Sequence, residues 1–481
     1  MKPFLLFLLF ALPLSLSAQQ QANLLGRWDD PDLVGSAFYD NTYNEIWGLA
    51  VNGHEYAVVG STAGTHFIDI TDPGQPFEAH FVPGAFQGGG VIHRDYHDFR
   101  GYLYAVCDEG PSTLQIIDIR NLPDEIEVVY DSGQIIRRSH NIFIDTASAK
   151  LYALAMDSNQ GGSAAMRIIN ISNPLNPVPL GSYNNFGGLS VGHVHDAYVR
   201  DGIAFLNCGG SGFAIVDFSS PLSPQTLSTL TDYPFRGYNH SGWLTDDARY
   251  YYMADETHGA DMKVIDVRNP CEIEVVGTFD AGVTNPSSIP HNQIVACNYL
   301  YVSYYYDGLV VYDISDPSNP QKVLYYDTYP EPDGGSYKGA WGIYPLLPSG
   351  NILVLDMQSG LFVFEGMGDN CAATQELTPV DLSCLGINAA SGPEGIERLN
   401  VFPQPASGIL NVQLEWPEGQ RNVNARLLDI NGRLAQRLGN EQLQPGANLI
   451  RYELNPGLPA GIYLLRLQGE GVNVTRRVVV R

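Results

Sequence analysis

Positive charge is scarce in this sequence. Lysine and arginine together number 26 in 481 residues, against 52 aspartates and glutamates, for a formal net charge of −26. Phosphate backbones are held by concentrated basic faces, so no nucleic-acid partner is expected. The acidity reads as a device for solubility. Cysteine is also sparse. The six are Cys107, Cys208, Cys271, Cys297, Cys371 and Cys384, none in a C-x-x-C pair, which argues against a cysteine zinc centre. There is no G-x-S-x-G elbow, no H-E-x-x-H and no Walker loop. The glycine-rich stretches "GGGVIHR" and "CGGSGF" lack a strand–loop–helix setting and read as turns.

Beyond the first eighteen residues no run is apolar enough to span a bilayer. Those eighteen, "MKPFLLFLLFALPLSLSA", combine a lysine, an apolar run and small residues at Ser15, Ser17 and Ala18. The pattern predicts a secretory signal over residues 1–18, cut before Gln19. The run is short for a membrane anchor. Export makes disulfides available to the remaining chain.

Glycine (50), proline (31) and tyrosine (28) are plentiful, and charged residues make up only 16%. This composition suits short strands and tight turns better than helices. One pattern recurs: "FIDITDPGQP", "IIDIRNLPDE", "IINISNPLNP", "IVDFSSPLSP", "VIDVRNPCEI" and "VVYDISDPSNP". Its reference residues are Asp69, Asp118, Asn170, Asp217, Asp266 and Asp313, spaced 47 to 52 apart, with a degenerate seventh copy ending at Glu365. Seven copies at this period predict a propeller, each copy one blade. The carboxylate or amide and the following proline form a corner after the third strand: the side chain accepts backbone N–H bonds and proline fixes φ. These aspartates are therefore structural.

A radial sheet array must close on itself. "LGRW" (Leu25–Trp28) resembles the outer-strand segments "LGSY" and "VGTF", and the seventh copy lacks an outer strand of its own. The expected fold is all-β: a seven-bladed β-propeller over residues 23–366 closed by the N-terminal strand. Residues 367–395 form a linker. Over residues 396–481, alternating stretches with Asn-Gly and Ala-Gly turns predict a small β-sandwich.

The innermost strands begin with histidine in five successive blades: His93, His140, His195, His240 and His291. Blades one and seven bring Trp47 and Trp341 instead, and the loops between second and third strands add Asp255 and Glu256 on the same face. Three readings stand for this mouth. The imidazoles lock blade to blade, each offering one donor and one acceptor. Alternatively, tryptophan faces and polar rims hold a glycan, peptide or small molecule. In the third reading His140, His195, His240 and His291 supply ligands to a divalent metal cofactor. Cys271 and Cys297 fall in turns of adjacent blades and are expected to pair. Cys371 and Cys384 are close enough in sequence for a local bridge, and Cys107 and Cys208 are expected to be free.

The stretches "VVGSTAGTHFIDITDP", "YNHSGW", "ADETHG", "IPHN" and "GAWGIYP" resemble the LVIVD-repeat, choice-of-anchor B secreted proteins of Bacteroidetes. That resemblance implies a surface-directed propeller and no particular reaction. "FPQPASG", "LLDINGR", "LPAGIYLLRL" and "RRVVVR" resemble the type A C-terminal sorting domain of the type IX secretion system, with Pro403-Gln404-Pro405 where that family has Pro-Asn-Pro. It implies delivery to the cell surface or the medium, with the secretion machinery as partner. The function expected is a binding or scaffold module for a glycan, peptide or surface protein. The rival is a metal-dependent extracellular hydrolase or lyase working at the histidine-rich mouth.

Overall fold

The computed structural model describes residues 20–282, 288–368, 377–385, 399–416, 421–429, 433–469 and 472–481. The expected signal segment, Cys371 and most of the linker lie outside them. The chain divides into two compact units, Met1–Val267 with Ile273–Pro379, and Arg268–Glu272 with Val380–Arg481.

The first unit is a β-propeller. Its blades are antiparallel sheets in simple up-and-down order, and their inner strands are Tyr43–Val51, Arg94–Phe99, Asn141–Asp145, Asp196–Arg200, Asn239–Leu244, Gln293–Ala296 and Ala340–Tyr344. These touch in sequence, each its successor, and the last touches the first. The three inner strands of each sheet are mostly buried, whereas outer strands such as Glu274–Phe279 alternate exposed and half-buried. Core residues of neighbouring blades interleave. Tyr104 and Ile116 of the second blade, for example, share one cluster with Ile142, Leu151 and Ile169 of the third. Each fully buried aliphatic contributes about 1.5–3 kcal/mol. A blade deprived of its neighbour would expose several such residues, so the ring is stable only as a whole.

Closure follows the sequence reading. Leu24–Trp28 pairs antiparallel with Gly360–Phe364, setting Trp28 opposite Leu361. The Trp28 ring then meets Tyr43 and His66 of the first blade at centroid distances of 6.0 and 5.3 Å. Gly26 is required here, because a Cβ would lie 2.1 Å from the carbonyl oxygen of Pro73. One addition was not foreseen: Gln20–Gln21 pairs parallel with the outer strand Gln321–Tyr326 and makes the sixth blade five-stranded.

The corners are successive side-chain-capped turns. Oδ1 of Asp69, Asp118, Asn170, Asp217 and Asp313 accepts the N–H two residues on, at 2.7–3.1 Å. Asp72, Asn173, Asn269 and Asp316 repeat the contact at 3.1–3.2 Å. A β-strand thus turns within a few residues without leaving its amides unsatisfied.

The second unit contains two linked sheets. Ile409–Trp416 lies between Leu399–Ser407 and Gly446–Glu453, and Arg421–Asp429, Leu434–Leu443, Gly461–Gly469 and Val472–Val480 form the other sheet, joined where Ala406 pairs with Val480. Leu410, Val412 and Tyr452 from one side and Ala425, Leu427, Leu465 and Val478 from the other share a single core.

The cysteine pairing differs from expectation. Cys271 bonds Cys384, 113 residues on, with a Cα–Cα distance of 6.1 Å. This replaces both the Cys271–Cys297 and the Cys371–Cys384 pairs. Cys297 is itself disulfide-bonded, to a partner other than Cys271. Turn register does not fix where the chain runs after the last blade, and six cysteines allow fifteen pairings. Cys107 and Cys208 are free and buried, as expected.

Candidate functional site

The repeat brings the five histidines to one height, and they pack into a ring. Centroid distances are 4.4 Å for His93–His140, 4.1 Å for His140–His195, 4.0 Å for His195–His240 and 4.5 Å for His240–His291. Trp341 completes it, 4.3 Å from His291 and 5.6 Å from His93. The ring floors a cavity of about 290 Å³ whose walls include Tyr39, Tyr305, Tyr337, Asp108, Glu109 and Glu256.

Each imidazole has a distinct environment. His195 Nδ1 is 3.1 Å from the His240 carbonyl oxygen, and His291 Nδ1 is 2.6 Å from that of Trp341. A carbonyl only accepts, so both Nδ1 atoms carry the proton and both Nε2 lone pairs are free. His93 Nε2 lies 2.9 Å from Asn141 Oδ1, while its Nδ1, the His240 Nδ1 and the Trp341 Nε1 are buried without partners. Burial, reinforced by neighbouring imidazoles, pushes His195 and His240 well below their ordinary pKa and His93 down to about 3. Burial would lower His140 too, but its 2.8 Å bond to Asp108 prevails and its pKa is raised. His140 thus differs from the other imidazoles of the ring in having a carboxylate partner.

Glu256 comes from the loop after Tyr250–Asp255. Tyr305 donates its hydroxyl to Glu256 Oε1 at 2.5 Å, and Glu256 Oε2 stands 3.9 Å from His240 Nε2. Tyr305 holds a left-handed backbone, φ 38°, which costs about 1–3 kcal/mol for a residue with a side chain. Reciprocal N–H···O=C bonds between Tyr305 and Ala340 lock that conformation. Gly339 permits their approach, since a Cβ there would lie 2.3 Å from the Tyr305 oxygen. Tyr305 was not a candidate from sequence. The run "YLYVSYYYDG" reads as packing tyrosines, and only the tertiary fold separates this one from its neighbours.

Two sequence candidates lie elsewhere. Trp47 donates Nε1–H to Asp98 and packs on His97, 4.3 Å away, and on Tyr344. With Phe143, Tyr198 and Trp243 it belongs to an aromatic layer outside the histidine ring. The inner strand of blade one begins at Tyr43, so Trp47 stands well inside it, whereas the ring residues stand at or near their strand starts. Asp255 pairs instead with Lys263 at 2.7 Å, both side chains fully buried, and also accepts from Tyr233 and the Gly237 N–H. It is a structural ion pair and does not face the cavity.

A second polar group was missed. Glu45, Asp95 and Asp196 line a small cavity together with Asn141 and Asn292. Burial raises all three carboxyls, Asp95 and Asp196 to about 7. An acid raised in the fold stabilises fully below its unfolded pKa near 4 and loses that contribution as pH climbs through the folded value. At pH 8 the cost of holding a buried carboxylate is complete. Asp95→Asn and Asp196→Asn, which retain an acceptor oxygen, should each stabilise the propeller at pH 8 by on the order of 2 kcal/mol and have little effect near pH 4. Urea midpoints at the two pH values test this, and equal shifts at both would contradict it.

A ring of antiparallel blades with a lined cavity at its channel mouth defines this unit as a β-propeller module. Residues 400–481 match the secretion system C-terminal sorting domain, and residues 294–328 match the LVIVD repeat. The chain thus carries a type IX sorting domain, which marks it for secretion or cell-surface attachment. No helix among the described residues is long and apolar enough to cross a membrane. No curated protein matches the chain. Among solved structures it is similar to Saccharomyces cerevisiae Sqt1 (TM-score 0.47, 8% identity, 73% of this chain and 100% of that one). It is also similar to the β-propeller domain of Myceliophteria thermophila Cps50 (Swd1), with a TM-score of 0.46, 10% identity and coverages of 71% and 98%. A protein from Lactobacillus plantarum gives 0.45, 11%, 86% and 100%.

Proposed function

We propose that the exported propeller is a binding module that takes the terminal unit of a surface or extracellular glycan into the histidine-ringed cavity. The observation that carries this is the lining. Trp341, Tyr39 and Tyr337 supply aromatic faces, while Glu109, Glu256 and the buried imidazoles supply hydrogen-bonding groups around the same 290 Å³. Aromatic walls with a few placed polar groups are what small polar ligands require, and the volume suits about one sugar unit.

Mature protein applied to a glycan array, followed by calorimetry on the hits, tests this reading. Trp341→Ala should weaken binding at least about tenfold, the worth of one good aromatic contact. Binding left intact by both Trp341→Ala and Glu256→Gln would place the ligand elsewhere. A metal-dependent hydrolase or lyase is the second reading, favoured by one observation: two imidazoles and a carboxylate converge in the cavity wall.

A further inference from the structure

Donor atoms of His195, His240 and Glu256 all lie within 4.8 Å of one another. We infer that these three residues hold a divalent transition-metal ion of the zinc class, with an open coordination position facing the cavity. The inference rests on reading that cavity as the functional site.

The donor set suits the ion. Two imidazole nitrogens and one carboxylate oxygen are a common ligand set of catalytic zinc, which leaves its fourth position to water or substrate. The ligand residues are also prepared for it. His195 commits Nδ1–H to the His240 carbonyl, so its remaining nitrogen, Nε2, presents a lone pair. Glu256 is oriented by the Tyr305 hydroxyl on Oε1, which leaves Oε2 toward His240. Metal-binding residues usually have outer partners of this kind.

A direct contact does not account for the arrangement. His240 Nε2 and Glu256 Oε2 face each other at 3.9 Å, too far for a hydrogen bond. Tetrahedral bonds of 2.0–2.1 Å place ligand atoms about 3.3 Å apart. The observed separations therefore need to contract by about 1.5 Å at most, within reach of small side-chain rotations. His140 takes no part: its Nδ1 is bonded to Asp108, and it is not among the converging donors. His291 stands in the ring without belonging to the converging group. The four-histidine set expected from sequence thus becomes two histidines and a glutamate.

The test uses mature full-length protein without a histidine tag, stripped with chelator and titrated with Co²⁺, then Zn²⁺ in competition. The expected result is saturation at one equivalent, with the intense visible bands of four- or five-coordinate cobalt. His195→Ala and Glu256→Gln should weaken uptake by at least about 100-fold. Tyr305→Phe, which removes only the outer hydroxyl, should weaken it by about 10- to 100-fold. His80→Ala, outside the cavity, should leave it unchanged. Circular dichroism confirms folding, and Tyr305→Phe keeps the test decisive if a ligand variant unfolds. Absence of saturable one-to-one binding, or uptake indifferent to His195→Ala, Glu256→Gln and Tyr305→Phe, overturns the site. Chelated protein that still binds its glycan at the cavity, with no metal uptake, would overturn the metal site alone. Loss of glycan binding at the cavity in metal-replete wild type would overturn the reading beneath it.

Discussion

Removal of residues 20–30 should unfold the propeller or lower its thermal midpoint by more than about 10 °C. The segment is short, but it joins the last blade to the first. Without Leu24–Trp28 the strand Gly360–Phe364 becomes a bare edge, and fully buried Leu361 and Val363 lose their outer cover. The contacts of Trp28 with Tyr43 and His66 disappear as well. Losing a few buried large side chains at about 2–5 kcal/mol each rivals the whole stability of a domain, about 5–15 kcal/mol. Gly26→Val should reproduce part of the effect through collision with the Pro73 carbonyl. Far-UV circular dichroism melts of the two proteins decide the matter. An unchanged midpoint for the deletion would mean that the ring does not depend on this strand.

Truncation after residue 395 should abolish delivery across the outer membrane while leaving the propeller folded. Among the described residues the core of the second unit is drawn from residues 406–480, and no blade residue belongs to it. Cys271 and Cys384 both remain, and their bond is retained. What is lost is the stretch that matches the sorting domain. Surface labelling of cells producing the truncated chain should fall to background, with folded protein accumulating inside the outer membrane. Normal surface labelling would show that export uses another signal.

Much of the propeller was legible because repetition amplifies a weak signal. A single "VVYDISDPSNP" reads as one strand and one turn. Six related copies at a steady period define a blade, and the corner chemistry of Asp69 or Asp313 follows from what a carboxylate and a proline do to a backbone. The site was legible in part for the same reason: histidines at equivalent places in successive blades are carried to one height. Departures from the repeat were not legible. Trp47 lies four residues inside its strand instead of at the start, and Asp255 is one residue from Glu256 yet faces Lys263 instead of the cavity. Alternation sends neighbours to opposite faces, and which face Asp255 takes depends on a cation eight residues away.

The sequence by itself determined the all-β architecture, the repeat, the closing strand and the sorting tail, because each rests on local patterns of burial and turn formation. Tertiary structure alone decided the chemistry at the mouth. Whether five imidazoles stand apart or share a ring depends on channel width. Which nitrogen each leaves free depends on carbonyls supplied by the next blade, as His240 supplies His195. Glu256 is aimed by Tyr305, 49 residues away, and Cys271 meets Cys384 across 113. Contacts of that range are set by how the ring closes and where the chain goes afterwards, and no local pattern of residues encodes either.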